Sequence, residues 1–304
     1  MKKHLLFKIL GLFFLVFASS CKNDDPSIPK ENYNPTNLSL RFIEMENCPL
    51  SFVENPTVYE NEIYYTGFGK LLKYSPSSNQ WTSLNTLPYN TKTLFIYDDK
   101  LFCFSSSGLS IYNENSNSWN SASSIIPDPN NFVSSYDFVS NYKSIAGKLY
   151  AKCSTYTLEF VPSSRTWRNI GEKSFYDYDV CQIGNSGYWV SDNVFRQFNT
   201  DEKKVYNKLG PKQSYKYSMA CNYGKNEMLC LNVEEMYYGI ELTLGIYSPI
   251  QNKLMQYSYY NFETLHYPLV EIPAAFSNLA TVDGRYFVGP TRGKYYEMKF
   301  INKK

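Results

Sequence analysis

From residue 38 onward, apolar side chains alternate with polar ones in short runs, and the runs are broken by Asn, Asp, Gly, Ser and Lys. A period of two, with Tyr, Phe, Val and Ile at the apolar positions, reads as β-strand, and compact turn formers between runs read as antiparallel hairpins. Six hairpins are legible: VYENEIYYTG (58–67), FIYDDKLFCF (95–104), SIAGKLYAKC (144–153), CQIGNSGYWV (181–190), CNYGKNEMLC (221–230) and TVDGRYFVGP (281–290).

A second pattern follows each of the first five hairpins. In YSPSSNQWTSLNTLP (74–88), Trp81 stands seven residues after Tyr74 across a run that cannot be helix. The same offset separates Tyr112 from Trp119, Phe160 from Trp167, Phe198 from Val205 and Tyr247 from Leu254, and the leading aromatics lie 38, 48, 38 and 49 residues apart. A period of this size is the mark of a repeat architecture. Each unit supplies a hairpin, a third strand ending on the aromatic, a polar turn and a fourth strand that opens near the Trp. Four short antiparallel strands repeated in this way predict an all-β chain folded as a β-propeller. The aromatic spacing then serves packing, with both rings of each pair expected between neighbouring sheets.

Closure gives the blade count. The last unit offers three strands, LATVDG, RYFVGP and KYYEMKFI, before the chain ends. NLSLRFIEME (37–46) is an alternating strand standing alone before the first hairpin. It is expected to supply the missing outer strand and so join the two ends, removing an open seam. Six blades over 38–304 is the reading, with seven as the alternative. The pairs Tyr74 with Trp81, Tyr112 with Trp119 and Phe160 with Trp167 resemble those of kelch propellers, whose blades carry a third-strand Tyr, a turn and a Trp. The resemblance covers about five units and is degenerate: where kelch blades have Gly-Gly after the second strand, this chain has TGFG, FSSS, AKCS and VSDN.

The N-terminus adds an address. Residues 1–20 combine basic Lys2 and Lys3, an apolar centre from Ile9 to Phe17 and small residues just before Cys21, the layout of a secretory signal peptide. Ala18-Ser19-Ser20-Cys21 resembles the lipobox of bacterial lipoproteins, which implies cleavage before Cys21 and acylation of its thiol. Several acyl chains hold a protein firmly at a bilayer, since each buried CH₂ contributes about 0.8 kcal/mol. Residues 21–37 have tether composition, and Asp24-Asp25 resembles the acidic signal that sends some such proteins to the cell surface. The expected location is the outer membrane, lipid-anchored, with the cell surface and the periplasmic side both open as the face presented.

Charge and chemistry narrow the function. Losing Lys2, Lys3 and Lys8 takes three from the 30 basic residues and leaves 27 against 28 acidic ones. A balance near zero offers no field for nucleic acid, which is not expected as a partner. Of seven cysteines, Cys103 and Cys230 occupy one place in two apolar runs, and Cys181 matches Cys221, a pattern of small buried hydrophobes rather than bridges. No CxxC or Cys/His cluster is present, so neither a metal site nor a cofactor is expected. No GxSxG, HExxH or phosphate-cradling loop occurs. His266 is the one histidine beyond the signal peptide and reads as a loop residue. Copper chemistry of the galactose-oxidase kind wants several imidazoles.

The insertion NVEEMYYGIEL of the fifth unit reads as a loop over one end of the central channel, carrying Glu234, Glu235, Tyr237 and Tyr238. With Tyr259 and Tyr260 these are the candidate binding residues, because exposed aromatic faces stack on sugar rings. The predicted function is a lipid-anchored binding module that recognises a glycan or an envelope protein through propeller loops. The alternative is a small-sugar isomerase, mutarotase or hydrolase working through paired carboxylates.

Overall fold

The computed structural model describes residues 38–50, 53–132, 138–171, 180–191, 194–209, 217–236, 239–262, 278–291 and 294–302. They form six four-stranded antiparallel sheets. Blades one to five are each built in sequence order, over 54–86, 93–121, 141–169, 181–209 and 219–262. The first strand of each blade is the innermost and neighbours the first strands of adjacent blades around the axis. This is the six-bladed propeller that the repeat predicts.

The sixth blade takes Asn278–Val282, Arg285–Thr291 and Lys294–Asn302 from the C-terminal end and Leu38–Glu44 as its outer strand. Leu40 lies opposite Phe300 and Glu44 opposite Tyr296. The seal continues beyond the sheet: the buried Tyr295 donates its hydroxyl to the Val53 carbonyl (2.7 Å) and accepts from the Val53 amide (2.8 Å). The passage from the outer strand of blade six to the first strand of blade one is thereby pinned to blade six itself.

The core is divided among six apolar clusters, one at each blade-to-blade interface. The repeat explains how each is built. Tyr74 with Trp81, Tyr112 with Trp119, Phe160 with Trp167, Phe198 with Val205 and Tyr247 with Leu254 are direct cross-strand partners at the base of the turn between third and fourth strands. In the three Trp copies the rings sit 5.0, 5.1 and 5.3 Å apart at 48°, 49° and 47°. Each leading aromatic is buried and joins the cluster shared with the preceding blade, as Tyr112 does beside Tyr64 and Leu71 of blade one. A buried aromatic of this kind contributes about 2–3 kcal/mol by burial, with roughly another 1 kcal/mol from ring contacts.

The tryptophans correct the expectation that both rings of every pair lie wholly between sheets. Trp81 and Trp119 are only half-buried and pack against the edges of their clusters. The reason is position, since the fourth strand is the outermost of its blade and its side chains meet solvent at the rim. Trp167 is the exception and is buried as a full member of its cluster. There the chain between blades two and three forms a short 3-10 turn at Pro129–Phe132, and Trp167 donates its indole Nε1–H to the Pro127 carbonyl just before it at 2.8 Å. A buried indole needs such an acceptor.

The turn obeys a rule of its own. Five residues after each leading aromatic, at Asn79, Asn117, Arg165, Lys203 and Asn252, the backbone has φ between 47° and 56°. Where the aromatic is Tyr, that residue is Asn and its Oδ1 accepts the phenol: Tyr74–Asn79 2.6 Å, Tyr112–Asn117 2.8 Å, Tyr247–Asn252 2.8 Å. Asn tolerates left-handed backbone and its side chain caps an otherwise half-satisfied hydroxyl. Where the aromatic is Phe there is no hydroxyl to cap, and a long cation reaches the preceding blade instead. Arg165 Nη2 donates to the Ser124 carbonyl at 2.6 Å and Lys203 Nζ to Glu159 Oε2 at 2.6 Å.

The cysteines are packed as the sequence implies. Among the described residues all six are free thiols, with Cys48 half-buried and Cys103, Cys153, Cys181, Cys221 and Cys230 buried. Burial pushes the Cys103 thiol up to about 12, so it stays protonated and inert.

Two outcomes test this account. Removing the phenol in Tyr112→Phe should cost about 1 kcal/mol in urea unfolding. Asn117→Gly keeps the left-handed turn, so the double variant should cost little more than the worse single one. The second concerns the seal, where Arg285 binds Glu297 through Nε (2.8 Å) and Nη2 (2.9 Å) and donates Nη1 to the Pro76 carbonyl of blade one. Burial alone would push the Glu297 carboxyl up, but hydrogen bonds and charge from Arg285, with Lys299 adding to them, outweigh it and hold it below its ordinary 4.5. A lowered folded value means the stabilisation is complete above pH 4.5 and lost as pH falls through the folded value. Glu297→Gln should therefore destabilise by about 1.5–3 kcal/mol at pH 7. The gap to the parent should close in unfolding curves taken below about pH 4.

Candidate functional site

In antiparallel blades the turns alternate between the two ends of the ring. One end carries the first-to-second and third-to-fourth strand turns, compact and crossed by the hydrogen bonds just described. The other carries the second-to-third turns and the connections between blades. Glu234, Glu235, Tyr259 and Tyr260 lie in the parts of blade five's second and fourth strands nearest this connection end.

Blade five departs from the others there. Its second, third and fourth strands, Glu227–Met236, Gly239–Ser248 and Lys253–Phe262, have ten residues each. Strands in blades one to four have three to seven. Pairing with the innermost strand stops where Met219 meets Leu231, so residues 232–236 and their partners run on past it. At about 3.3 Å per residue, three residues more than the longest strand of blades one to four add roughly 10 Å, while the third strand of blade six, Lys294–Asn302, has nine residues.

The insertion is thus sheet and not loop, which corrects the sequence reading of Glu234 and Glu235. Successive strand residues sit on opposite faces, so these two do not form a carboxylate pair. The register supplies a different one: Glu234 lies opposite Glu241, and Glu241 opposite Tyr260. Side chains in directly opposed positions stand about 4.5–5.5 Å apart at Cβ. Glu234 is exposed and Glu241 half-buried, and among the described residues neither makes an ion pair. Inward along the same rung row come Asn232 opposite Thr243, both buried. Tyr259 is likewise in strand, opposite Leu242, and with Tyr260 it belongs to a regular fourth strand.

Glu241 was missed by the motif search, although a signal for it existed. Two residues, 237 and 238, separate the paired Met236 and Gly239, and a two-residue hairpin fixes 234 against 241 by counting. Tyr237, Tyr238, His266 and Cys21 lie outside the described residues. Among the described residues no group of three or more His, Cys, Asp or Glu is placed to hold a metal ion. No helix among them is long and apolar enough to cross a membrane.

No family model matches the sequence. No curated protein matches it either. Solved structures share the fold. A regucalcin from Agrobacterium tumefaciens strain C58, described as a calcium-binding protein, superposes with a TM-score of 0.55 at 14% identity, covering 87% of this chain and 96% of that one. The extracellular domain of a one component system from B. thetaiotaomicron gives 0.50 at 12% identity, covering 80% of this chain and 32% of that one. U3-55K gives 0.51 at 10% identity over 87% of this chain and 98% of its own. The chain therefore spans about a third of the B. thetaiotaomicron protein that it matches. At these identities the likeness establishes the propeller and nothing finer.

Two like charges directly opposed in a sheet weaken it. Glu241→Gln should raise stability by a few tenths to about 1 kcal/mol at low ionic strength. Most of the gain should disappear in 1 M NaCl, where the Debye length is about 3 Å.

Proposed function

We propose that the protein is a kelch-like binding module held by a lipidated Cys21 on the outer membrane. In this reading residues 22–37 tether it and the connection end of the propeller recognises a glycan or an envelope protein. One observation carries the reading. Blade five carries its outer strands past its own innermost strand and sets Glu234 and Glu241 opposite one another, with no ion pair to either among the described residues. A hairpin kept only for packing has no reason to hold that arrangement, whereas a ligand that donates hydrogen bonds to both carboxylates would relieve it. Propeller neighbours that include an extracellular domain agree with recognition as the role. Regucalcin's calcium is not carried over, because Glu234 and Glu241 are two carboxylates and a calcium ion takes six to eight oxygens.

A second reading uses the same pair. Two carboxylates at cross-strand distance can act as acid and base on a small sugar, as an isomerase, mutarotase or hydrolase requires. The working pair is then Glu234 with Glu241 rather than Glu234 with Glu235.

One set of proteins separates the two. Purified 22–304 is incubated with a broad panel of host and dietary glycans, with binding and product formation followed together. For the binding module, Glu234→Ala and the Tyr237→Ala/Tyr238→Ala pair should weaken binding at least tenfold without lowering the melting temperature, and no product should form. Product that disappears in Glu234→Ala/Glu241→Ala would establish the enzyme instead. Retained affinity in every variant would remove blade five from the site. Separately, Cys21→Ser in the full chain should move the protein from the membrane to the soluble fraction.

A further inference from the structure

The aromatic residues of this chain are mostly spent on packing between blades, and the exceptions share one end of the ring. Among the described residues, the exposed large aromatics are Phe68, Tyr89, Phe132 and Phe138. Phe68 lies in the second-to-third turn of blade one, Tyr89 in the connection from blade one to blade two, and the other two in the connection from blade two to blade three. All are at the connection end, and Phe68 and Tyr89 lie at the join of blades one and two, which in a ring of six stands opposite the join of blades four and five.

Phe68 is costly to keep where it is. Its φ is 47° and that of Gly69 is 73°, so both central residues of the hairpin are left-handed, a turn suited to Asn-Gly or Asp-Gly. It is the one aromatic among the positive-φ non-glycine residues described. Its ring gains nothing from burial, being 72% exposed. Backbone strain that holds a large apolar ring out in water points to a use for the ring.

Tyr89, 86% exposed, is fixed close by. The Leu87 amide donates to the Gly69 carbonyl at 2.8 Å, which ties the two segments. Thr91 Oγ1 donates to the Pro88 carbonyl at 2.7 Å and closes the loop around Tyr89. Ser106, in the second-to-third turn of blade two, donates its hydroxyl to the Tyr89 carbonyl at 3.0 Å. Two rings are thereby presented on a hydrogen-bonded frame spanning blades one and two. The polar side chains exposed in the same segments are Lys70, Thr86, Asn90, Lys92, Ser106 and Ser107. Segments 67–70, 86–92 and 105–108 contain no Asp or Glu.

From this geometry we infer that Phe68 and Tyr89 form an oligosaccharide-stacking platform, a contact surface separate from blade five. A sugar ring lays its C–H face on an aromatic ring and turns its hydroxyls outward to amides and hydroxyls. Rings isolated among such groups suit it better than a protein hot spot, which is set in a closed apolar surround. The inference rests on the binding reading above and gives it a ligand class and a second point of contact. An extended oligosaccharide would engage both ends of the face.

The test is calorimetric titration of 22–304 with cellohexaose, xylohexaose, mannohexaose and, as the acidic arm, hexagalacturonic acid. At least one should bind the parent. Phe68→Gly, which relaxes the turn, should keep or raise the melting temperature while weakening that binding at least tenfold, and Tyr89→Ala should do the same. Unchanged affinity in both variants overturns the platform. If Glu234→Ala still weakens binding in that case, the module reading stands without it. If the parent binds none of the four, the platform is likewise overturned, and recognition is judged by whether a purified envelope protein binds in a Glu234-dependent way.

Discussion

The structure depends on one repeated contact, an aromatic on the third strand of a blade set opposite a large apolar residue on the fourth and pressed into the preceding blade. Blade sheets are only four strands wide, and most strands have six residues or fewer. A sheet that small cannot bury a core alone. It becomes stable when both faces are covered, and the ring covers both for every blade. Each copy of the contact closes the interface with the preceding blade, so the ring needs every copy to cover both faces of every blade. Blade six shows how strictly this holds. Its copy is Phe300, placed opposite Leu40 and packed against Tyr223 of blade five at 5.9 Å, although the two partner strands come from opposite ends of the chain.

Polar chemistry follows the same geometry. The Tyr–Asn bonds and the Arg165, Lys203 and Arg285 reaches all fall at the end of the ring that carries the turns between third and fourth strands, where each blade meets the next. Buried carboxylates occur where such a cation arrives: Glu159 takes Lys203 and Arg168, and Glu297 takes Arg285. A carboxylate taken out of water needs a partner of this kind. One end of the ring is thus committed to holding blades together. The other end carries blade-joining bonds of its own, Tyr295 with Val53 and Ser106 with Tyr89, and there the chain also keeps strained Phe68, exposed Tyr89 and the opposed Glu234 and Glu241. Departures from local stability collect at the connection end.

Much of the fold was legible because it is written in local periods. Alternation with turn residues gave the hairpins, and the seven-residue offset gave the third-to-fourth turn, since a cross-strand pair around a compact turn must recur at fixed spacing. That offset could not tell how deeply each ring sits: Trp119 stays at the rim while Trp167 is covered, because only the latter has the chain between blades two and three laid over it. The candidate face was legible only in outline. Glu234 was found, but paired with its sequence neighbour instead of its register partner, because EE in a row looks like a pair until strand geometry separates the two. Phe68 and Tyr89 were passed over, since an apolar residue in a turn gives no sign of whether its ring is covered.

Local sequence patterns alone were enough for the strand pattern, the blade as a unit and the closing role of residues 37–46, and they favoured six blades over seven. These follow from side-chain alternation and turn chemistry, which act between residues close in the chain. Only the tertiary structure decided which face of each strand meets which blade, that Asn answers Tyr while Arg or Lys answers Phe across the interface, and that one end of the ring keeps aromatic rings in water and sets two carboxylates face to face. Those facts depend on contacts between blades, and exposure is a property of the assembled ring rather than of any segment in it.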